Sequence, residues 1–337
     1  MAEIRTLTQV PCPLCNCAEH KILFQTKDYR QRVSDDAFTV SRCLECGAGY
    51  LSLRPTEEDL PRYYDEHFYW SFENDESARD SRESLLRNRQ SQIRAKARWL
   101  SHLSPGRLLD IGTMKGEFIY HMASLGWDCE GVEFSRTPPN LFNMPIHYGD
   151  FLEMQGLPDS GYDCITLWAV LEHIYRPAEY IEKISRLLKP GGQLVLLVTN
   201  FNTLQARFFE MDDYPRHLNL FTKKSVRTLL QRHGLSIDRV STDQSVFGGH
   251  LQGGFVYLCK RLCGYSRGEA LSEWKSDATL IPFFHQWRGR GSRAMRAVAF
   301  ADRILLSPIE KLLDSLGFGF TLTIVAKKAT TATTSAK

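Results

Sequence analysis

The hydrophobic rhythm of the chain changes several times. Up to about residue 50 the apolar positions are short and scattered, with β-like runs such as Ala37–Ser41 and little helical periodicity. Residues 51–75 (LSLRPTEEDLPRYYDEHFYWSFEND) read as a linker with one short helix and an aromatic group, Tyr63, Tyr64, Phe68, Tyr69 and Trp70. Between about Ser77 and His102, Leu85, Leu86, Ile93, Ala97 and Leu100 recur at the spacing of one helix face, which Pro105-Gly106 ends. Strands and helices then alternate. Strands are predicted at Arg107–Ile111, Trp127–Val132 and Tyr162–Trp168, with a short one at Pro145–His147. Helices are predicted at Gly116–Leu125 and at Ala178–Leu188, the second stopped by Pro190-Gly191-Gly192. Gln193–Val198 is a continuous apolar run suited to a central parallel strand. A helix over Thr222–His233, stopped by Gly234, leads into a strand over Leu235–Val240. Residues 245–317 break the alternation with Gly-punctuated helical segments, Phe318–Ala326 alternates as a last strand, and the tail KKATTATTSAK is low in complexity.

Strands alternating with helices imply βαβ units with right-handed crossovers, hence an α/β class with an open, mostly parallel, doubly wound sheet. The expected organisation is a Cys-rich module at 1–50, a linker with N-terminal helices at 51–104, a core at 105–244, a helical insertion at 245–317, a last core strand at 318–327 and a disordered tail at 328–337.

Composition works mainly by exclusion. The 337 residues are 43% hydrophobic, 24% charged and 11% aromatic, as in ordinary globular proteins. A net charge of +3 is too mild to announce a nucleic-acid partner. The first residues, MAEIRTLTQVPCPLC, lack the apolar stretch of a signal peptide, and no run of about 18 apolar residues suggests a membrane span. A cytoplasmic protein is expected.

Cysteine changes the picture. Of nine cysteines, Cys12, Cys15, Cys17, Cys43 and Cys46 fall within the first 46 residues. A cytosolic compartment keeps thiols reduced, so the clustering points to a metal rather than to disulfides. Cys12-Pro-Leu-Cys15 and Cys43-Leu-Glu-Cys46 are two C-x2-C pairs with 27 residues between them. Each pair puts two thiolates on a tight turn, and four thiolates complete a tetrahedral Zn²⁺ site with no open position, hence a structural one. A redox dithiol or free cysteines are the alternatives, and Cys17 is a spare thiol or a substitute ligand.

The strongest enzymatic signal is Arg107-Leu-Leu-Asp110-Ile-Gly112-Thr-Met-Lys-Gly116-Glu-Phe118. An apolar strand ends in an acid, and a glycine-containing turn then opens a helix, where backbone can approach a ligand closely. The spacing is G-x-x-x-G, whereas a dinucleotide fingerprint needs G-x-G-x-x-G. An acid at the strand end suits a cofactor that bears an ammonium group and no phosphate.

This segment resembles motif I of class I S-adenosylmethionine-dependent methyltransferases, and further landmarks follow in order. Trp127–Val132 followed by Glu133 resembles the second strand and the acid that binds the ribose hydroxyls. Gly149-Asp150-Phe151 resembles the segment where an acid meets the adenine amino group and the next residue packs on the ring. Tyr162–Trp168 with Glu172-His173 resembles the fourth strand and its loop, and Leu187-Leu188-Lys-Pro-Gly-Gly192 the turn before the fifth. The resemblance covers roughly residues 105–240. It implies a seven-stranded, Rossmann-like methyltransferase fold, S-adenosyl-L-methionine as cofactor, and Asp110, Gly112, Gly116, Glu133, Asp150, Phe151 and Trp168 as its binding residues. One departure is Met114, which stands where the family has the second glycine of the turn.

For the acceptor, His is the side chain whose pKa suits removal of a hydroxyl proton. His173 closes the loop after the fourth strand, and His217 follows the fifth in Pro215-Arg216-His217-Leu-Asn-Leu-Phe221-Thr. That phrase resembles the ubiquinone-biosynthesis methyltransferases and their relatives in glycan and natural-product pathways. Their metal-binding E-x-x-E-H stretch reads Ala169-Val-Leu-Glu172-His173 here, so metal-assisted catechol chemistry is not expected. The expected activity is O- or C-methylation of a small molecule such as a sugar, glycan precursor or nucleotide sugar. Trp287-Arg-Gly-Arg290-Gly-Ser-Arg293 is a candidate phosphate contact, and Ala294–Leu316 suits equally a homodimer, a lid or a peripheral membrane contact. An RNA methyltransferase and a non-catalytic binding protein with a degenerate turn are the alternatives.

Overall fold

The computed structural model of the chain describes residues 6–29, 33–64, 82–135, 140–203, 206, 212–243, 245–247 and 308–330. Phe68, Tyr69, Trp70, most of the stretch expected to be a helical insertion, with the candidate phosphate contact at 287–293, and the end of the tail lie outside them. Two sheets organise the described residues.

The larger sheet has seven strands, here β5 (Arg107–Ile111), β6 (Asp128–Glu133), β7 (Ile146–Tyr148), β8 (Tyr162–Trp168), β9 (Leu188–Thr199), β11 (Leu235–Ser241) and β12 (Thr321–Lys328). Their order is β11-β12-β9-β8-β5-β6-β7. The pairs from β9 to β7 are parallel, and β12 lies antiparallel between β9 and β11. This is the expected Rossmann-like, mostly parallel architecture. The chain leaves β5 toward β6 and β7, then returns to β8 on the other side, so the switch point where such sheets bind ligands lies at the carboxyl ends of β5 and β8.

Alternate strand residues supply the two faces of the sheet. Leu109, Leu194 and Leu196 join a core with Ile181 and Ile184 of α3 (Pro177–Leu187) and Val226, Leu229 and Leu230 of α4 (Lys223–Arg232). Leu108, Val195 and Leu197 face the other way, with Ala95 of α1 (Arg82–Arg98) and Phe118, Ile119 and Met122 of α2 (Glu117–Ser124). Local chemistry sets the ends. Thr222 caps α4, accepting the Ser225 N–H while the Ser225 hydroxyl accepts the N–H of Thr222. Pro190-Gly191-Gly192 does not precede its strand as expected; β9 already starts at Leu188 and carries the Pro-Gly-Gly within it.

The second sheet is antiparallel, in the order β1 (Leu7–Gln9), β4 (Gly49–Pro55), β3 (Phe38–Cys43), β2 (His20–Thr26). β4 reaches five residues into the stretch read as linker. Beside β1, on the same edge of β4, lies β10 (Asn219–Leu220), which comes from the segment after β9. The Cys-rich module is therefore not a separate unit. Cys12, Leu14, Cys43 and Cys46 are continuous with the core under α3 and α4, and the Arg54 guanidinium stacks 3.9 Å from the centre of the Tyr175 ring. β12 extends to Lys328, one residue into the expected tail, and its ammonium donates to the Leu188 carbonyl at 2.7 Å.

Candidate active site

The turn after β5 is strapped to the end of β6. Gly112 and Thr113 donate their N–H groups to the Val132 carbonyl at 2.8 and 3.1 Å, and the Met114 N–H donates to the Glu133 carboxylate at 2.8 Å. Gly112 adopts φ +77°, and a Cβ there would lie 2.5 Å from Val170 Cγ2, so only glycine fits beneath the loop that follows β8. Met114 takes φ +52° despite its side chain, whose sulfur lies 3.9 Å from Arg89 of α1. Arg89 in turn pairs with Glu117 at 2.8 Å. Gly116, at φ +85°, caps α2. Burial raises the Glu133 pKa, and the N–H groups of Met114 and Ser135 oppose the rise.

Asp110 is 1% exposed and accepts the Thr166 hydroxyl at 2.5 Å. Burial lifts its pKa from 3.8 to about 6, with Lys96 of α1 pulling the other way. The Lys96 ammonium lies 5.5 Å from the ring centres of both Phe118 and Trp168, and Asp110 and Glu117 both act on it. Two aromatic faces and two carboxylates thus surround a cation beside the turn. Trp168 packs edge-on against Phe118 at 5.6 Å, and its indole N–H finds no partner among the described residues.

Asp150 turns back to accept the Leu152 N–H at 2.9 Å and lies 3.7 Å from Arg176. Phe151 is brought into the core rather than to the cleft surface, 1% exposed with its ring 5.0 Å from that of Tyr180.

The structure brings His173 and His217 together, with ring centres 4.5 Å apart and planes at 78°. His173 ends the short helical turn Leu171–His173, and its Nδ1 lies 3.2 Å from the Arg216 carbonyl and 3.4 Å from the Tyr64 hydroxyl. Burial and the neighbouring His217 push its pKa down to about 3, so it is neutral and donates from Nδ1. His217 differs. Burial disfavours its charged form, but the Asp212 carboxylate against Nδ1, with Glu172 and Asp213 near, outweighs it and raises the pKa. Glu172 is fully buried, and neither carboxylate oxygen has a partner among the described residues. Burial lifts it to about 7.

The four cysteines of the two pairs converge, with all four sulfurs within 4.8 Å of one another. Cys12 and Cys46 sulfurs are 3.6 Å apart, those of Cys15 and Cys43 3.5 Å. A tetrahedron with metal–sulfur bonds of about 2.3 Å has edges of roughly 3.8 Å, so the set fits a metal ion. Each pair sits on a turn closed by a backbone bond, Asn16 N–H to Cys12 O at 2.8 Å and Gly47 N–H to Cys43 O at 3.1 Å. Cys17 is not one of these four; it lies near Cys43, with its thiol directed at the Glu19 carbonyl at 3.7 Å.

Sequence reading missed several residues of the site. Lys96 follows Ile93 by three positions and so falls on the apolar face of α1, which was a usable signal. Asp212 is five residues from His217 and looks like any loop acid. Val170, which seals Gly112, carries no motif.

Residues 85–240 match the model of the methyltransferase-domain family. Among curated proteins, the chain is similar to ubiquinone biosynthesis O-methyltransferases. With that of Paraburkholderia phymatum it is 26% identical over 125 residues, 34% of this chain and 54% of that protein. With that of Paraburkholderia xenovorans it is 30% identical over 117 residues, 32% and 50% respectively. The chain spans about half the length of these relatives. Among solved structures, a SAM-dependent methyltransferase from Archaeoglobus fulgidus is 21% identical with a TM-score of 0.45, covering 77% of this chain and 99% of that one.

Proposed function

We propose that this chain, with its methyltransferase domain at 85–240, transfers a methyl group from S-adenosyl-L-methionine to a small-molecule acceptor, by O- or C-methylation of a sugar, glycan precursor or natural-product intermediate. The observation that carries the reading is the strapped turn at the switch point. Met114 N–H holds the Glu133 carboxylate at 2.8 Å beside a glycine that admits no Cβ.

The bound cofactor supplies a methyl group on a sulfonium centre, open to in-line attack. The chain supplies position, charge and a base. Glu133 retains lone pairs for a ribose diol, because each oxygen of a carboxylate accepts more than one donor. Phe118 and Trp168, with Asp110 and Glu117, hold the Lys96 ammonium beside the turn, which offsets the carboxylate charge there. Asp150 is the acid for the adenine amino group. On the acceptor side Asp212 holds Nδ1 of His217, so Nε2 is the nitrogen that takes a hydroxyl proton. His173, kept neutral, packs edge-to-face against His217 and restrains its ring.

In this reading the Cys12, Cys15, Cys43 and Cys46 centre holds Zn²⁺ in a structural role, since four protein ligands leave no position for substrate.

Calorimetric titration of the zinc-replete protein with S-adenosylmethionine and S-adenosylhomocysteine tests the reading. Micromolar binding with one site per chain is expected, and a screen of acceptors by mass spectrometry, sugars first, would follow. Absence of binding to either compound overturns the proposal.

A further inference from the structure

Arg216, one residue before His217, is fully buried and heads the fully buried side chains by volume. A guanidinium removed from water needs carboxylates around it. One comes from its own loop: Asp213 Oδ1 lies 2.7 Å from Nη2 and 2.8 Å from Nε. The other comes from the Cys-rich module, where Asp28 meets the guanidinium with both oxygens, Oδ1 at 2.9 Å from Nη2 and Oδ2 at 3.2 Å from Nη1. Carbonyls of Tyr63 at 2.8 Å and Tyr214 at 3.2 Å complete the shell. Asp28 is itself 2% exposed and accepts the Val33 N–H at 3.0 Å.

Both histidines are tied to this loop. The His217 N–H donates to the Asp213 carbonyl at 2.8 Å. The Arg216 carbonyl faces Nδ1 of His173 at 3.2 Å. Two residues past His217, the chain becomes β10 and joins the edge of β4 in the module's own sheet.

We propose that Asp28 is a positioning residue for the reaction. Through Arg216 it holds the loop 212–217 in the one arrangement that keeps His217 Nδ1 on Asp212 and Nε2 toward the acceptor. The Cys-rich module is then part of the acceptor site. The inference rests on the assignment of His217 to that site, and its readout is independent of cofactor.

The groups that face His217 are Asp212, Asp213, Glu172 and His173, and Asp213 is shared with the Arg216 guanidinium. Without the Asp28 charge, Arg216 is less well matched and its positive charge weighs more on His217. A loosened loop also weakens the Asp212 contact. Both effects lower the His217 pKa.

The test is a histidine-ring NMR titration of the full metal-loaded chain, comparing wild type, Asp28→Asn, Asp28→Glu and Ile181→Ala. Asp28→Asn is expected to move the His217 signals and lower its pKa by about half a pH unit or more, with S-adenosylhomocysteine affinity within about twofold of wild type. Asp28→Glu keeps the charge and displaces it by one methylene group. If the asparagine variant does not fold, a displaced His217 signal in Asp28→Glu supports the proposal and an unchanged one overturns it. Ile181 is fully buried in α3, and its truncation opens a cavity elsewhere in the core. It should leave the His217 titration in place. A folded Asp28→Asn protein in which His217 titrates as in wild type overturns the proposal, as does an Ile181→Ala shift of equal size. If the methyltransferase reading fails instead, wild type binds no S-adenosylhomocysteine while the His217 signals still answer the question about Asp28.

Discussion

Replacing Asp110 with asparagine should make the protein more stable at neutral pH while weakening its hold on cofactor. Asp110 is 1% exposed, and burial raises its pKa from 3.8 to about 6. An acid whose pKa is higher folded than unfolded binds its proton more tightly in the native state. Its contribution to stability is therefore fully present below pH 3.8 and is lost as pH rises through about 6. At about 1.4 kcal/mol per pH unit, the rise corresponds to roughly 3 kcal/mol above pH 7. Asparagine keeps the shape and an oxygen for the Thr166 hydroxyl but has no charge to desolvate, and Lys96 retains Glu117 as a neighbour. The expected gain is up to about 3 kcal/mol. With an unfolding entropy of about 2.1 cal/mol/K per residue, this raises Tm by roughly 4 °C. Scanning calorimetry of both proteins across pH makes the check. The gap should be full at pH 7.5, roughly halved near pH 5 and nearly gone by about pH 4, as wild type takes up its proton. In parallel, S-adenosylhomocysteine affinity should fall by about tenfold or more, the usual opposition between stability and function at a site. A variant that melts below wild type at pH 7.5, or a gap indifferent to pH, would refute the reasoning.

Gly112→Ala forces a Cβ to 2.5 Å from Val170 at φ +77°. It should lower stability by about 1–3 kcal/mol and weaken cofactor binding, which calorimetry and thermal melts would measure. Atomic emission should find one tightly held zinc per chain. Cys43→Ser should lose it and melt several degrees lower, whereas a metal-free variant with wild-type Tm would remove the structural role. His217→Ala should reduce turnover about 10²–10⁴-fold and leave S-adenosylhomocysteine affinity unchanged. Because the His217 pKa lies above its ordinary 6.5, wild-type turnover should climb with pH in a window above 6.5 as the ring loses its proton. A profile flat from pH 6 to 9 would sink the base assignment.

The central strands were legible because burial on both faces favours apolar residues, as in the continuous Leu194–Val198 run of β9 and the mostly apolar β8. The module's strands were hidden for opposite reasons. β2 is largely exposed along its length, so no alternation survives. β4 is almost wholly buried but includes two polar residues: Ser52, bonded to the Ser41 hydroxyl at 2.8 Å, and Arg54, whose Nη2 donates to the Tyr175 carbonyl at 3.3 Å. β10 has two residues and exists only through its pairing with Gly49 and Tyr50. Motif residues of the site could be read one by one, since glycine and acid positions repeat a recognisable spacing. Their long-range partners could not. Nothing near Asp110 in sequence announces that Lys96 acts on it, and nothing near Glu172 announces that its carboxylate is fully buried beside His217.

Arg216 shows how far this limit reaches into the architecture. In sequence it is one more arginine before a histidine, and the expected division at residue 50 lets the Cys-rich module be removed without touching it. In the structure its burial is balanced by Asp213 in its own loop and by Asp28, 188 residues away, which meets it with both oxygens. Deleting residues 1–55 should therefore do more than remove an appendage. Breaking a buried pair costs about 3–5 kcal/mol. The same deletion leaves β10 unpaired and uncovers the apolar surface of α4, where Cys12 and Leu14 are continuous with the core. Set against a total stability of about 5–15 kcal/mol for a typical domain, these losses should leave no cooperative thermal transition in a chain starting at residue 56. A truncated chain that melts cooperatively near the wild-type temperature would mean that Asp213 alone can support Arg216, and that the module is an accessory after all.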